Sequence, residues 1–255
     1  MILTVDIGNS NITLTIFKEN KKVTEWRIIT DKKKSCDEYS IVVKQLIKSD
    51  NISIDDIKGI MLSSVVPDIT RTFQSALSFL KAEIKTVGDK SVKTNVKISK
   101  DINDEIGADI LMNIIAGKNR FKENFVIIDM GTATTFNIAL KDGEYVGSVI
   151  TVGANASAEM IHQRCSQLPL IEVKKPKNFV GNNTADALKS GIYYGYLGLL
   201  KEIISKIKET YKDYNLKFYL TGGLSKIFLP DLPFVDGIFP DLTCEGLNEV
   251  WKMNK

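Results

Sequence analysis

The sequence predicts an α/β fold of two similar lobes, each a mixed sheet with flanking helices, and a cleft between them. Three observations carry that expectation. Residues 2–17, ILTVDIGNSNITLTIF, are echoed by residues 126–140, VIIDMGTATTFNIAL. Laid over each other without a gap, Asp6 falls on Asp129, Gly8 on Gly131 and Asn9 on Thr132, and the turn of Lys18, Glu19 and Asn20 falls on Lys141, Asp142 and Gly143. Each copy reads as an apolar strand ending in Asp, a Gly-bearing tight turn, a second alternating strand and a polar hairpin turn.

Composition narrows the function classes. A chain of 255 residues has room for one large domain or two small ones with real cores. Its 44% apolar and 25% charged content is ordinary for a globular protein. The net charge of +3 is too small to argue for nucleic acid, and Lys32, Lys33 and Lys34 read as a solvated face. Cys36, Cys165 and Cys244 stand in no metal-ligand spacing and His162 is the only histidine, which argues against zinc. Free thiols suggest a reducing compartment, the cytoplasm. With no long apolar run, and with Met1 leading into a strand, neither a signal peptide nor a membrane span is expected.

In chain order, residues 2–29 read as a three-stranded meander. Residues 37–49 carry Tyr39, Val42, Val43, Leu46 and Ile47 at helical spacing. A buried strand over 57–66 is stopped by Pro67, and a helix follows to about Ala82. After a short strand at 84–87 and a Lys-rich link, residues 104–117 form a helix with Ile106, Ile110, Leu111, Ile114 and Ile115 on one stripe; Asp109 and Asn113 share another face. The link after it sets the expected boundary: lobes of 1–117 and 118–255. The second lobe repeats the meander over 125–151. Helices are expected over 153–167, over 184–211 with Thr184 as N-cap, and over 245–253. Gly191, Gly195 and Gly198 line the long helix; core packing, the other lobe or a second subunit would each use them. Residues 218–220 form a strand ending in Thr221, Gly222 and Gly223, where a glycine pair lets a flat ligand lie against backbone.

The repeated turns suggest phosphate chemistry. A Gly turn lets backbone N–H groups approach a phosphate, and the carboxylate before it can hold a metal ion; phosphoryl transfer needs both. Two ordinary hairpins whose Asp residues cap turns would look alike in isolation. A hydroxyl attacking phosphorus must lose its proton, which makes Asp109, near a helix start, the candidate acceptor. A first-turn Asp that merely complements the helix dipole is the alternative. No Ser/His/Asp set is present.

These residues resemble a known family. The DIGNS and DMGTATT turns with a late TGG resemble the sugar-kinase, actin and heat-shock ATPase superfamily, whose lobes are ribonuclease H-like. Within it the chain is most similar to type III pantothenate kinases, through DIGNSNI at Asp6, SSVVP from Ser63, GAD from Gly107, DMGTATTF at Asp129, NTADALKSG from Asn183, TGG at Thr221 and DLTCEGL near the C-terminus. The resemblance implies ATP-dependent phosphorylation of pantothenate to 4′-phosphopantothenate, the first committed step towards coenzyme A, by a homodimer. It implies ATP contacts from Asp6, Ile7, Gly8, Asn9, Ser10, Asn11, Ile12 and Thr13, from Thr132, and at Gly222 and Gly223. Asp6 would stand near Mg²⁺, Asp109 would accept the proton, and Asp129 would hold a monovalent cation, K⁺ or NH₄⁺. Lys100, Gly107, Ala108, Asp109, Ile110 and Thr184 would line the pantothenate side.

Departures from the family pattern cluster on that acceptor side. Ile110 stands where an Arg is usual, Lys100 where a Tyr is usual, and Asn103 and Val152 where Pro is usual; Asn137 replaces a frequent Asp. Ile110 removes a charge and up to five N–H donors, and Lys100 offers a replacement charge. Two other readings follow: a kinase for another small hydroxyl compound, or a non-catalytic nucleotide-binding relative acting through protein partners.

Overall fold

The computed structural model describes residues 1–100, 102 and 106–255, so Asn103 and the expected helix start at Asp104 lie outside the described residues. Two compact units emerge. Met1–Val96, Asn103–Asn119 and Leu242–Lys255 make the first; Lys97–Ile102 and Arg120–Asp241 make the second.

In the first unit, β1 (Ile2–Ile7), β2 (Asn11–Lys18) and β3 (Lys21–Ile29) form the expected antiparallel meander. Strands β4 (Gly59–Ser64) and β5 (Glu83–Thr86) add in parallel on the other side of β1, giving the order β3-β2-β1-β4-β5. Strand alternation sends Leu3, Val5 and Ile7 to one face, where they are buried against Tyr39 and Val43 of α1 (Cys36–Ser49) and Phe73 of α2 (Pro67–Ala76). A capping box between Ser35 and Glu38 starts α1. Helix α2 ends earlier than expected, because a 3₁₀ turn at Ser78–Leu80 and a left-handed Lys81 follow it.

The opposite sheet face is covered by α3 (Ala108–Arg120) and α7 (Leu242–Met253). Met61 of β4, Met112 and Ile115 of α3, and Leu247, Val250 and Trp251 of α7 form one buried cluster. The Trp251 ring lies directly on Gly59, where a Cβ would fall 2.0 Å from it. This packing corrects the expected 118–255 lobe: its terminal helix belongs with the first unit. The short segment Lys97–Ile102 conversely belongs with the second, where Ser99 N–H donates to the Tyr145 carbonyl at 3.0 Å.

The second unit repeats the strand order. Strands β6 (Phe125–Met130), β7 (Ala133–Ala139) and β8 (Tyr145–Val152) form the meander, and β9 (Lys217–Thr221) and β10 (Gly237–Ile238) continue in parallel, in the order β10-β9-β6-β7-β8. Helices α4 (Ala154–Arg164), α5 (Thr184–Thr210) and α6 (Ser225–Phe228) complete it. Val126, Ile128, Phe136 and Leu220 pack against Tyr193, Leu197 and Leu200 of α5. The N-cap of α5 is Asn183, not Thr184: the Asn183 side chain accepts from the Asp186 N–H at 2.9 Å. Gly191, Gly195 and Gly198 are exposed, with no heavy atom within 4 Å of where a Cβ would stand, so they are not core-packing positions of this unit. Strand β10 and helix α6 are too short to leave a periodic signal in sequence. Among the described residues, no helix is long and apolar enough to cross a membrane.

Candidate active site

The two repeated turns occupy the same place in their units, after the central first strand. Their geometry differs from the gapless sequence overlay. In the first, Ile7 pairs with Ile12 and four residues bridge them; in the second, Met130 pairs with Thr134 and three bridge them. From the turn onwards the structural equivalence is therefore shifted by one residue. The irregularities of the second strands follow the shifted match: one falls between Ile16 and Phe17, the other between Ile138 and Ala139.

Each turn is closed by its own backbone. Gly8 N–H donates to the Asn11 carbonyl at 3.0 Å, and Gly131 N–H to the Ala133 carbonyl at 3.1 Å. Those two N–H groups are taken up inside the turns, so a phosphate would meet other donors. Thr30, just past the end of β3, braces the first turn, donating through Oγ1 to the Gly8 carbonyl at 2.6 Å and through N–H to the Ser10 carbonyl at 3.0 Å. Asn9, Ser10 and Asn11 are exposed, while the side chains of Ile7 and Ile12 lie fully in the apolar core. Any ligand contact from those two isoleucines is through main chain.

Asp6 sits on the polar sheet face. Register lines up Arg27, Thr13, Asp6 and Ser63 across β3, β2, β1 and β4. The buried Ser63 hydroxyl donates to Asp6 Oδ1 at 2.7 Å. Burial pushes the Asp6 carboxyl up to about 6; the Ser63 hydrogen bond opposes that rise, the negative charge of Asp109 adds to it, and Arg27 opposes it. The charge of Asp109 thus reaches Asp6 within the first unit. Asp109 lies in the first turn of α3, half-buried, with Oδ1 accepting from the Ile110 N–H at 2.8 Å. Gly107 leaves room for that carboxylate, since a Cβ there would fall 2.6 Å from Asp109 Oδ1. Ala108 is half-buried and Ile110 is buried, 8% exposed.

Asp129 occupies the corresponding place in the second unit, half-buried, with Thr135 and Thr221 opposite it on β7 and β9. Gly222 follows β9 at φ 86°, and a Cβ there would meet Asp129 Oδ1 at 2.7 Å and Met130 N at 2.6 Å. Gly223, Thr132, Lys100 and Thr184 are exposed in this unit. Asn137 is fully buried, its amide donating to Thr135 Oγ1 at 2.9 Å while its carbonyl oxygen has no partner among the described residues. Val152 closes β8, partly exposed. So Asp6, Gly107, Ala108, Asp109 and Ile110 share the first unit, and Asp129, Thr132, Thr184, Gly222 and Gly223 share the second. Ser63 escaped the sequence reading as a site residue, although a serine ending a strand before Val65, Val66 and Pro67 was legible within SSVVP.

Two units of this topology, each with a carboxylate at the end of its central first strand, define the actin-like ATPase and sugar-kinase class of fold. A Sinorhizobium meliloti structure described as a 2-dehydro-3-deoxygalactonokinase superposes with TM-score 0.60 at 10% identity, over 99% of each chain. A Campylobacter jejuni structure described as a Baf family transcriptional activator gives 0.59 at 18% identity, over 99% of this chain and 98% of that one. Sequence narrows the class. The type III pantothenate kinase family matches residues 2–206, and the Geobacter sulfurreducens type III pantothenate kinase is 35% identical over 256 residues, covering all of both chains. The chain belongs to the type III pantothenate kinase family.

Proposed function

We propose that the chain phosphorylates pantothenate with Asp109 as general base. The activity itself is that of the family: ATP-dependent phosphorylation of pantothenate to 4′-phosphopantothenate in coenzyme A biosynthesis. In the proposed step the pantothenate hydroxyl oxygen attacks the γ-phosphorus, its proton passes to Asp109, the bond from the γ-phosphorus to the bridging oxygen breaks, and ADP leaves. One observation supports the role of Asp109: it stands half-buried in the first turn of α3, its carboxylate oriented by the Ile110 N–H at 2.8 Å, with its charge felt at Asp6. Its Oδ1 is engaged by the Ile110 N–H, which leaves Oδ2 for the hydroxyl proton.

The turn from Asp6 to Thr13 is the proposed ATP-binding element of the first unit, and Thr132, Gly222 and Gly223 are the proposed ATP contacts of the second. Asp6 fits Mg²⁺, which is held by one or two carboxylates together with substrate phosphates. Mg²⁺ would supply charge neutralisation on the phosphates. Asp129 is the proposed ligand of K⁺ or NH₄⁺. Gly107, Ala108, Ile110, Thr184 and Lys100 are assigned to pantothenate. A cytoplasmic homodimer completes the proposal, and the exposed glycine stripe on α5 supports it by leaving room for close approach of a second copy. Sedimentation of the purified chain at micromolar concentration should give a dimer, and a monomer would remove that part.

The test of the reaction is ADP release with ATP, Mg²⁺, K⁺ or NH₄⁺, with and without pantothenate. Turnover should require pantothenate and vanish in Asp109→Asn, which should still bind ATP. Collapse of ATP binding in that variant would make Asp109 structural. The buried, uncharged Ile110 favours the second reading, a different small hydroxyl acceptor; ATP binding without pantothenate turnover would support it. Ile110→Arg should lower KM for pantothenate if the pocket keeps the family's shape.

A further inference from the structure

The sequence SSVVP places two serines side by side at the end of β4, and strand alternation sends them to opposite faces. Ser64 turns towards α2: its hydroxyl accepts from Val66 N–H at 3.1 Å and from Thr70 Oγ1 at 2.8 Å, so it organises the start of that helix. Ser63 turns to the polar face, directly across from Asp6 in the β1–β4 register. Its hydroxyl is buried, 1% exposed, and donates to Asp6 Oδ1 at 2.7 Å.

A carboxylate at a strand end rotates freely about its terminal torsion unless something holds it. A hydroxyl donor at that distance fixes the plane of the group and occupies one of its two oxygens. The other oxygen is then the one available to a ligand. We propose that Ser63 is a positioning residue for the phosphate turn: by holding Asp6 Oδ1 it presents Oδ2 towards the cation-bearing phosphates of ATP. This rests on the reading of Asp6 as the cation-facing carboxylate. Ser64 is a built-in control, being the same residue type one position along the same strand with a purely structural set of partners.

Calorimetric binding of ATP in Mg²⁺ and of ATP in EDTA separates the possibilities. Ser63→Ala should weaken Mg²⁺·ATP binding about tenfold or more, in the range of outer-shell changes at metal sites, and leave ATP binding in EDTA unchanged. Ser63→Thr, which keeps the hydroxyl, should recover most of the loss. It also keeps the proposal testable should the alanine variant fold poorly, because a Thr variant that folds but shows no Mg²⁺·ATP preference would overturn it. Ser64→Ala should lower thermal stability and leave both affinities alone. Equal losses with and without Mg²⁺ in Ser63→Ala, or none, would overturn the proposal. Asp6→Asn separates the layers: if it abolishes the Mg²⁺ preference while Ser63→Ala does not, only the role of Ser63 falls; if it too is silent, the reading of Asp6 falls and the role of Ser63 with it.

Discussion

The two repeated turns begin from the same sequence pattern and stand among different neighbours. In the first unit the carboxylate of Asp6 is held by a side chain, the Ser63 hydroxyl on β4. In the second, the position opposite Asp129 is Thr221 on β9, and main chain closes in behind it: Gly222 packs against Asp129 and Met130, and Gly153 packs onto the turn itself, with a Cβ there falling 2.3 Å from the Gly131 carbonyl oxygen. The second turn is also one residue shorter. A duplicated motif has kept its carboxylate and its glycine, while the neighbouring strand presents Ser63 to Asp6 in one unit and Thr221 and Gly222 to Asp129 in the other. Identity of motif therefore says where a carboxylate stands, and the neighbouring strand says what holds it there.

The glycine that packs behind Asp129 is open to a direct test. Gly222→Ala forces a left-handed residue to carry a Cβ into backbone at 2.6 Å, so it should destabilise the protein by about 3 kcal/mol or more, read as a lower denaturant midpoint. An alanine variant within about 1 kcal/mol of wild type would mean that the second turn is not braced by main chain.

Next comes Asp6→Asn, which keeps an acceptor for Ser63 and removes the charge. Burial raises the Asp6 carboxyl from its usual 3.8 to about 6, so the folded state holds its proton more tightly than the unfolded state. The sign follows: this group's contribution is fully present below about pH 4 and is lost as pH rises through about 6. In EDTA, Asp6→Asn should match wild type near pH 4 and exceed it above pH 6.5 by up to about 3 kcal/mol, a ceiling because Asp6 is only half-buried by surface area. Parallel stability curves across that range would show that Asp6 is not held in an unfavourable place.

The smallest effect sharpens the contrast. Gly8→Ala and Gly131→Ala meet only a carbonyl oxygen as their nearest neighbour, at 3.1 and 3.4 Å, and neither glycine has positive φ. Each should change stability by less than about 1 kcal/mol, as surface substitutions do. A large loss at Gly8 alone would show that the first turn depends on close packing after all.

Both meanders were legible in the sequence because alternation over β1–β3 and β6–β8 is long and each ends in a turn signal. The helix face of α1 was legible for the same reason at period 3.6, whereas α3 buries Met112 and Asn113 as well as the expected Ile110, Ile114 and Ile115, because a second helix covers it. The register shift was not, because apolar alternation tolerates a one-residue change of turn length and only pairing across the strands exposes it. Nor was the placement of α7, since its Leu247, Val250 and Trp251 read as one more apolar stripe until Met61 and Met112 are seen to receive them. Asp6, Asp109 and Asp129 were legible as candidates by residue type; Ser63 was not, because a serine beside a serine has no periodic or chemical mark until the strand shows which one faces the carboxylate.

The closure of the first unit by α7 has a consequence for the order in which the protein matures. β1 leaves the ribosome early, yet the segment that covers its polar-side neighbours, Leu242–Lys255, is translated only after all of Arg120–Asp241. The second unit can therefore finish while Met61 and Met112 of the first still face solvent. Until α7 docks, the apolar patch of the first unit is uncovered, so damage to Val250 or Trp251 would act on the piece of the protein that was made first.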